Sequence, residues 1–141
     1  MKRLLPIFKT SFFVPLFGDG STKFQPVFID DVSLAVDEII NSNISGKNIY
    51  ELAGPRTYSY KEFFNHISDF LNKTRVLVPI PMALMKPMIN IAEKTPFSPL
   101  TSEQLTLFEK DNLIVKADKS FQNLNINPQD TLQILKNIVV N

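Results

Sequence analysis

A chain of 141 residues with 44% hydrophobic side chains carries enough apolar material for one packed domain, which argues against wholesale disorder. Its 15 basic and 14 acidic residues leave a net charge of +1, so charge makes no case for nucleic acid or an anionic membrane surface. Cysteine is absent, which excludes disulfides, thiolate chemistry and Cys-based zinc sites.

Along the chain, Leu4, Leu5, Ile7, Phe8, Phe12 and Phe13 give residues Lys2 to Phe13 an imperfect helical pattern, ended by Pro15 and the turn Gly18-Asp19-Gly20-Ser21. Met1-Lys2-Arg3 ahead of this apolar stretch has some look of a signal peptide, but Lys9 interrupts it and no small-residue cleavage site follows. Phe24 to Ile29 reads as a strand, with Pro26 consigning it to an edge. Asp30 and Asp31 then occupy an expected helix N-cap, ahead of Val32, Ala35, Val36, Ile39 and Ile40 at helical spacing, and Gly46 closes that unit. Asn48 to Leu52 is a predicted strand ended by Ala53-Gly54-Pro55.

Ser59 and Glu62 form a capping box opening a helix with Tyr60, Phe63, Phe64, Ile67 and Leu71 on one face. Arg75 to Ile80 is a predicted strand, and Met82 to Ala92 an apolar helix disturbed at Pro87. Thr101 and Gln104 form a second capping box, leading a helix with Leu105, Leu107 and Phe108. Leu113 to Val115 reads as a short extended piece. Asn127 is the expected cap of a last helix with Pro128 at its first position and a stripe of Leu132, Leu135, Ile138 and Val139. The fold class is α/β, or α+β as an isolated fragment: about three short strands among five or six helices, too few strands for a complete doubly wound sheet.

Several chemistries lack their residues. Gly18, Gly20, Gly46 and Gly54 are the only glycines, and no three of them fit a dinucleotide fingerprint or a P-loop. Four places after Tyr50, Tyr58 and Tyr60 stand Gly54, Glu62 and Phe64, so no reductase-type tyrosine has its lysine. His66 is the single histidine, at the flank of a helix face, and reads as a rim residue. Asp30-Asp31 suggests paired carboxylates or a metal site, but adjacent residues at a helix start diverge and no third ligand is near, so capping is favoured. Met82, Met85 and Met88 recur on an apolar helix and read as packing. No metal site is expected.

Three segments carry a family resemblance. Pro15 to Val32 (PLFGDGSTKFQPVFIDDV), with its glycine turn leading to Ile29-Asp30-Asp31-Val32, is similar to a stretch of extended and atypical short-chain dehydrogenase/reductases. Tyr50 to Pro55 with Thr57 to Glu62 resembles the next strand, its Gly-Pro turn and the capped helix; Leu100 to Leu105 with Asp111-Asn112 resembles the tail of one branch. That branch is the epimerase/dehydratase-like group of the 39/40 kDa accessory subunit of respiratory complex I.

The resemblance implies a C-terminal portion of a Rossmann-like fold, residues 1–141 forming a single substrate-side domain. The nucleotide-binding half, with the glycine fingerprint and Tyr/Lys pair, lies elsewhere. It implies NAD(P) for the full-length family and no cofactor or catalytic residue for this chain alone. Surviving substrate contacts are expected at Thr22, Lys23 and Gln25, and Asp31, Ser59 and Thr101 are expected as structural caps. Three functional readings follow: a substrate-domain remnant inactive alone, an interaction module for a respiratory complex or a separate N-terminal half, and an independent small-molecule binder. A homodimer or association with that separate half is expected, without nucleic acid and without a transmembrane segment. Localisation is expected in a bacterial cytoplasm or peripherally at a membrane, not secreted.

Overall fold

The computed structural model describes residues 5–92, 105–114 and 118–140. The second capping box, Thr101 with Gln104, lies outside them, as does Val115. Elements follow in the order α1 (Leu5–Thr10), β1 (Phe13–Phe17), β2 (Lys23–Phe24), α2 (Ile29–Asn41), β3 (Tyr58–Ser59), α3 (Tyr60–Phe70), β4 (Val76–Ile80), α4 (Met82–Ala92) and α5 (Thr131–Val140), with short 3₁₀ turns at Thr106–Phe108 and Phe121–Leu124.

The expected helix over Lys2 to Phe13 is split. It stops at Thr10, and Phe13 onward is strand, where Val14 and Leu16 bury two residues apart as extended backbone provides, with Phe17 buried at the strand's end. Strand β1 pairs in parallel with β4, Phe13 opposite Val76 through Phe17 opposite Ile80. Each strand contains one proline, and both are placed where the ladder tolerates them. Val76 N–H donates to Phe12 O and Gly18 N–H to Ile80 O (both 3.0 Å), so alternation turns the nitrogens of Pro15 and Pro79 toward the outer edges. A missing donor there costs no ladder bond, and it blunts both edges against further strands.

Beneath this ribbon lies the larger core. Phe63, Phe64 and Ile67 of α3 pack with Phe8, Val14, Leu16, Phe17, Met85, Ile89, Leu105, Phe108 and Leu132. Phe8 meets Phe64 edge-on with centroids 5.1 Å apart, and Phe24 stacks on Tyr60 at 4.4 Å. Such aromatic pairs add about 0.5–1.5 kcal/mol each beyond the area they bury. Both halves of the Ser59 box are made, Glu62 N–H to Ser59 Oγ (3.2 Å) and Ser59 N–H to the Glu62 carboxylate (2.8 Å).

A smaller core joins α2 to the 3₁₀ turn near the C-terminal end. Ala35, Phe121 and Leu124 are buried there, with Val27, Val32, Ile39, Tyr50, Leu52 and Ile126 packed around them. Two predicted strands fail in this region. Of Phe24 to Ile29 only Phe24 is strand, paired with Lys23 antiparallel to Tyr58–Ser59, and Ile29 already belongs to α2. Asn48 to Leu52 is not a strand, since its described backbone–backbone bonding is a single contact, Glu51 N–H to Lys119 O (3.0 Å). Leu113 and Ile114 likewise have no regular structure.

Gly54 is required for close approach. A Cβ there would lie 1.9 Å from the carbonyl oxygen of Pro26, a backbone atom that cannot rotate away. Gly54→Ala is expected to cost about 2 kcal/mol or more. Urea denaturation of both proteins measures it, and an unchanged midpoint would mean that the Pro26 backbone yields freely.

Candidate functional site

In the turn Gly18-Asp19-Gly20 neither glycine has an N–H to spare for a phosphate. Gly18 N–H is spent on Ile80 O and Gly20 N–H on Phe17 O (3.1 Å). Asp19 accepts both the N–H (2.9 Å) and the hydroxyl (2.6 Å) of Ser21, bonds that hold its carboxyl below the usual range. The carboxylate at the turn's tip would moreover repel an anion. These residues do not fit a pyrophosphate cradle.

The three residues expected at a substrate face different directions. Thr22 Oγ1 donates to Phe108 O (2.8 Å), and Gln25 Oε1 accepts from Ile114 N–H (2.8 Å). Lys23 is exposed, while its backbone N–H donates to Asp111 (2.8 Å) and its carbonyl accepts from Asn112 N–H (2.8 Å). All three therefore fasten residues 108–114 to the β2 region. Only Gln25 also borders an open cleft of about 620 Å³, whose walls include Gly54, Pro55, Ser120, Asn125 and Asn127.

Asp31 does not cap its own helix. Because α2 starts at Ile29, the cap position falls on Phe28, which has no side-chain cap bond, and Asp31 lies within the first turn. Asp31 is 2% exposed, and its carboxylate reaches across the fold to Gln129, accepting from the backbone N–H at 2.8 Å and from the Nε2 amide at 3.3 Å. Its negative charge still suits the positive end of α2.

The last helix starts later than expected, at Thr131, and its cap is Asp130 rather than Asn127: Leu132 N–H donates to Asp130 Oδ1 (3.0 Å). Asp130 gathers two further partners, the Tyr58 hydroxyl (3.1 and 3.3 Å to its two oxygens) and the Arg56 guanidinium (3.2 Å). This Arg56–Tyr58–Asp130 cluster was not predicted. An Asp-Thr dipeptide directly before Leu132 is a better cap signal than Asn127, and would have located its carboxylate. His66 is exposed, edge-on to Tyr58 and stacked with Phe70 (both 6.1 Å between centroids). Among the described residues no cluster of three or more His, Asp or Glu is arranged to hold a metal, and no helix is long and apolar enough to cross a membrane.

No protein-family model matches the sequence. Over 128 aligned residues it is 32% identical to NADH dehydrogenase [ubiquinone] 1 alpha subcomplex subunit 9, mitochondrial, of Arabidopsis thaliana, covering 82% of this chain and 31% of that protein. Over 109 residues it is 28% identical to the mitochondrial NADH-ubiquinone oxidoreductase 40 kDa subunit of Neurospora crassa, covering 77% of this chain and 29% of the subunit. The fold superposes on triphenylmethane reductase of Citrobacter sp. with a TM-score of 0.72 at 17% identity, over 97% of this chain and 47% of the reductase. The same reductase complexed with NADP(H) gives 0.69 at 19% identity, over 97% and 46%. This chain is a relative of the 39/40 kDa complex I subunits, with a reductase-type α/β fold. It spans about a third of the length of those curated relatives and about half of the solved reductases.

Two expectations follow from these ties. Asp31→Ala should lower stability by about 2 kcal/mol, since it strips charge-assisted bonds from a buried position; guanidinium titration of the variant decides this, and a loss under 0.5 kcal/mol, roughly the size of a neutral surface change, would rule the tie out. Burial, then the Asp130 carboxylate, holds the Tyr58 phenol above its ordinary value of 10.0. Folding thus favours the protonated phenol, a stabilisation complete below pH 10 and lost as pH rises through the raised value. Tyr58→Phe should cost about 1 kcal/mol at neutral pH and make the alkaline fall in stability shallower. Melting curves between neutral and strongly alkaline pH test both parts.

Proposed function

We propose that this chain is the substrate-side portion of a protein of the 39/40 kDa complex I subunit type. In this reading it is not catalytic alone, and it works joined to a nucleotide-binding portion and in association with a respiratory complex. The observation that carries the proposal is the pairing of two coverages: 82% of this chain aligns with the Arabidopsis subunit, yet it accounts for only 31% of that protein. The missing chemistry supports it, because the sequence contains neither a glycine fingerprint nor a Tyr/Lys pair at catalytic spacing.

A dinucleotide would be held by the joined portion that carries the fingerprint, and no step is assigned to this chain. Its own contribution would be to shape the substrate side. Of Thr22, Lys23 and Gln25, the geometry favours Gln25 as a ligand contact, because it alone lines the cleft beside Gly54 and Asn125. That cleft also favours a second reading, an independent small-molecule binder.

Calorimetric titration of the isolated chain with NADH and NADPH tests the main reading. We expect no dissociation constant below about 10 μM, equivalent to about −7 kcal/mol. Tighter binding would overturn the proposal in favour of a self-sufficient site.

A further inference from the structure

Strands β1 and β4 form a parallel ribbon that the fold covers on one face only. Val14 and Leu16 are buried beneath it, and Leu77 packs against the same core. The residues between them belong to the outer face: Phe13 stands opposite Val76 and Pro15 opposite Val78, and paired residues share a face. Phe13 is 60% exposed, Val76 40% and Val78 39%, while Phe12, 53% exposed, meets Phe13 edge-on at 5.1 Å.

Basic side chains gather at the Phe12 and Val76 end of this face. Lys73 Nζ donates to Lys9 O (3.0 Å) and Arg75 Nε to Phe8 O (2.7 Å), so both reach the end of α1 that carries the exposed Lys9. Bonds to carbonyls leave the positive charges in place, and among the described residues no carboxylate is ion-paired with Lys9, Lys73 or Arg75. Beside Lys73 and Arg75 opens a polar groove of about 480 Å³, whose lining includes Asn65, Asn72, Thr74 and one carboxylate, Asp69.

We propose that the outer face of the β1–β4 ribbon docks an amphipathic helical segment of a partner chain. Its apolar stripe lies on Phe12, Phe13, Val76 and Val78, and its carboxylates reach Lys9, Lys73 and Arg75. The inference rests on the functional reading above, for which it names the face that meets a larger assembly. A helix laid on an apolar surface is held by anchors one turn apart, and complementary charge at one end fixes its direction. The occupant lies on the face and not at an edge, because Pro15 and Pro79 take a donor from each outer edge and disfavour strand addition.

Area and charge select this occupant over two others. The exposed phenylalanine rings offer on the order of 100 Å² each and the valines less, well short of the about 800 Å² per partner that a stable dimer buries. A single helical segment matches so small a face, and a second folded copy does not. Recognition of an anionic lipid surface draws on about four to eight clustered cations, more than Lys9, Lys73 and Arg75 supply with Asp69 beside them.

Photo-crosslinking in the protein's own host tests the face, with p-benzoylphenylalanine installed at Phe13, at Val78 and, as a rival apolar site on α4, at Leu84. The expected result is at least tenfold more product at Phe13 and Val78 than at Leu84. The captured peptide should come from a respiratory-complex protein and carry Asp or Glu beside apolar residues spaced three and four apart. Lys9→Glu with Lys73→Glu, checked for native circular dichroism, should cut the product at least tenfold, while Lys9→Arg with Lys73→Arg should retain it. Flotation with vesicles of equal phosphatidylserine and phosphatidylcholine should leave the protein unbound. Capture of a second copy, of a segment without carboxylates, or of nothing at Phe13 and Val78 would overturn the docking face, as would undiminished capture by the Glu variant or flotation that this variant abolishes. Capture of a respiratory-complex segment from Leu84 alone would overturn the face and leave the functional reading standing. An acidic amphipathic segment captured at Phe13 and Val78 from a protein outside any respiratory complex would uphold the face and overturn the functional reading.

Discussion

The carbonyl group of Pro26 is the crossing point on which the second half of the structure depends. Gly54 passes it at a distance that admits no side chain, and Thr131 Oγ1 donates to it (2.9 Å) as α5 begins. On one side of the crossing, Gln25 holds Ile114; on the other, Asp31 holds Gln129. Residues 25–31 thereby tie together three stretches far apart in sequence. A proline is well suited to the centre of such a crossing, because it fixes the backbone and has no N–H to leave unsatisfied.

This arrangement explains why polar residues of a reductase-like motif serve structure here. Thr22, Gln25 and Asp31 all spend side-chain hydrogen-bonding capacity on backbone groups of residues 108–129. A buried backbone N–H or C=O left without a partner costs about 1–3 kcal/mol, so each such bond stabilises the fold whether or not a ligand ever reaches the site. The Arg56–Tyr58–Asp130 cluster has the same character, with one carboxylate serving a helix cap, a phenol and a guanidinium. A neighbouring tyrosine and carboxylate are therefore insufficient grounds for a catalytic assignment.

The two extended regions show how strand formation depends on neighbours. Residues 13–17 and 76–80 meet across a long connection and form a ladder, although each contains a proline. Residues 48–52 have a better strand pattern, with alternating burial and β-branched and aromatic side chains, yet no ladder forms among the described residues. Propensity prepares a segment for a sheet, but hydrogen bonds to an adjacent strand are what make it one.

Read by itself, the sequence determined the local events governed by near neighbours. The Ser59–Glu62 box, the buried face of α3, the strand ending at Ile80 and the helix from Met82 were all legible, because capping and hydrophobic periodicity act within one or two turns. The α/β class and the kinship with the 39/40 kDa subunits were legible too, through the glycine turn and the Ile29-Asp30-Asp31-Val32 run. Tertiary structure alone decided that Phe13 belongs to a strand, that Asp31 serves Gln129 rather than its own helix, and that Asp130 gathers Tyr58 and Arg56. Each of these depends on a partner distant in the chain: Val76 for Phe13, the approach of α5 for Asp31, the Tyr58 and Arg56 side chains around Asp130. A carboxylate or an apolar residue has the same local preferences wherever it stands, and only the assembled fold determines which distant group it reaches.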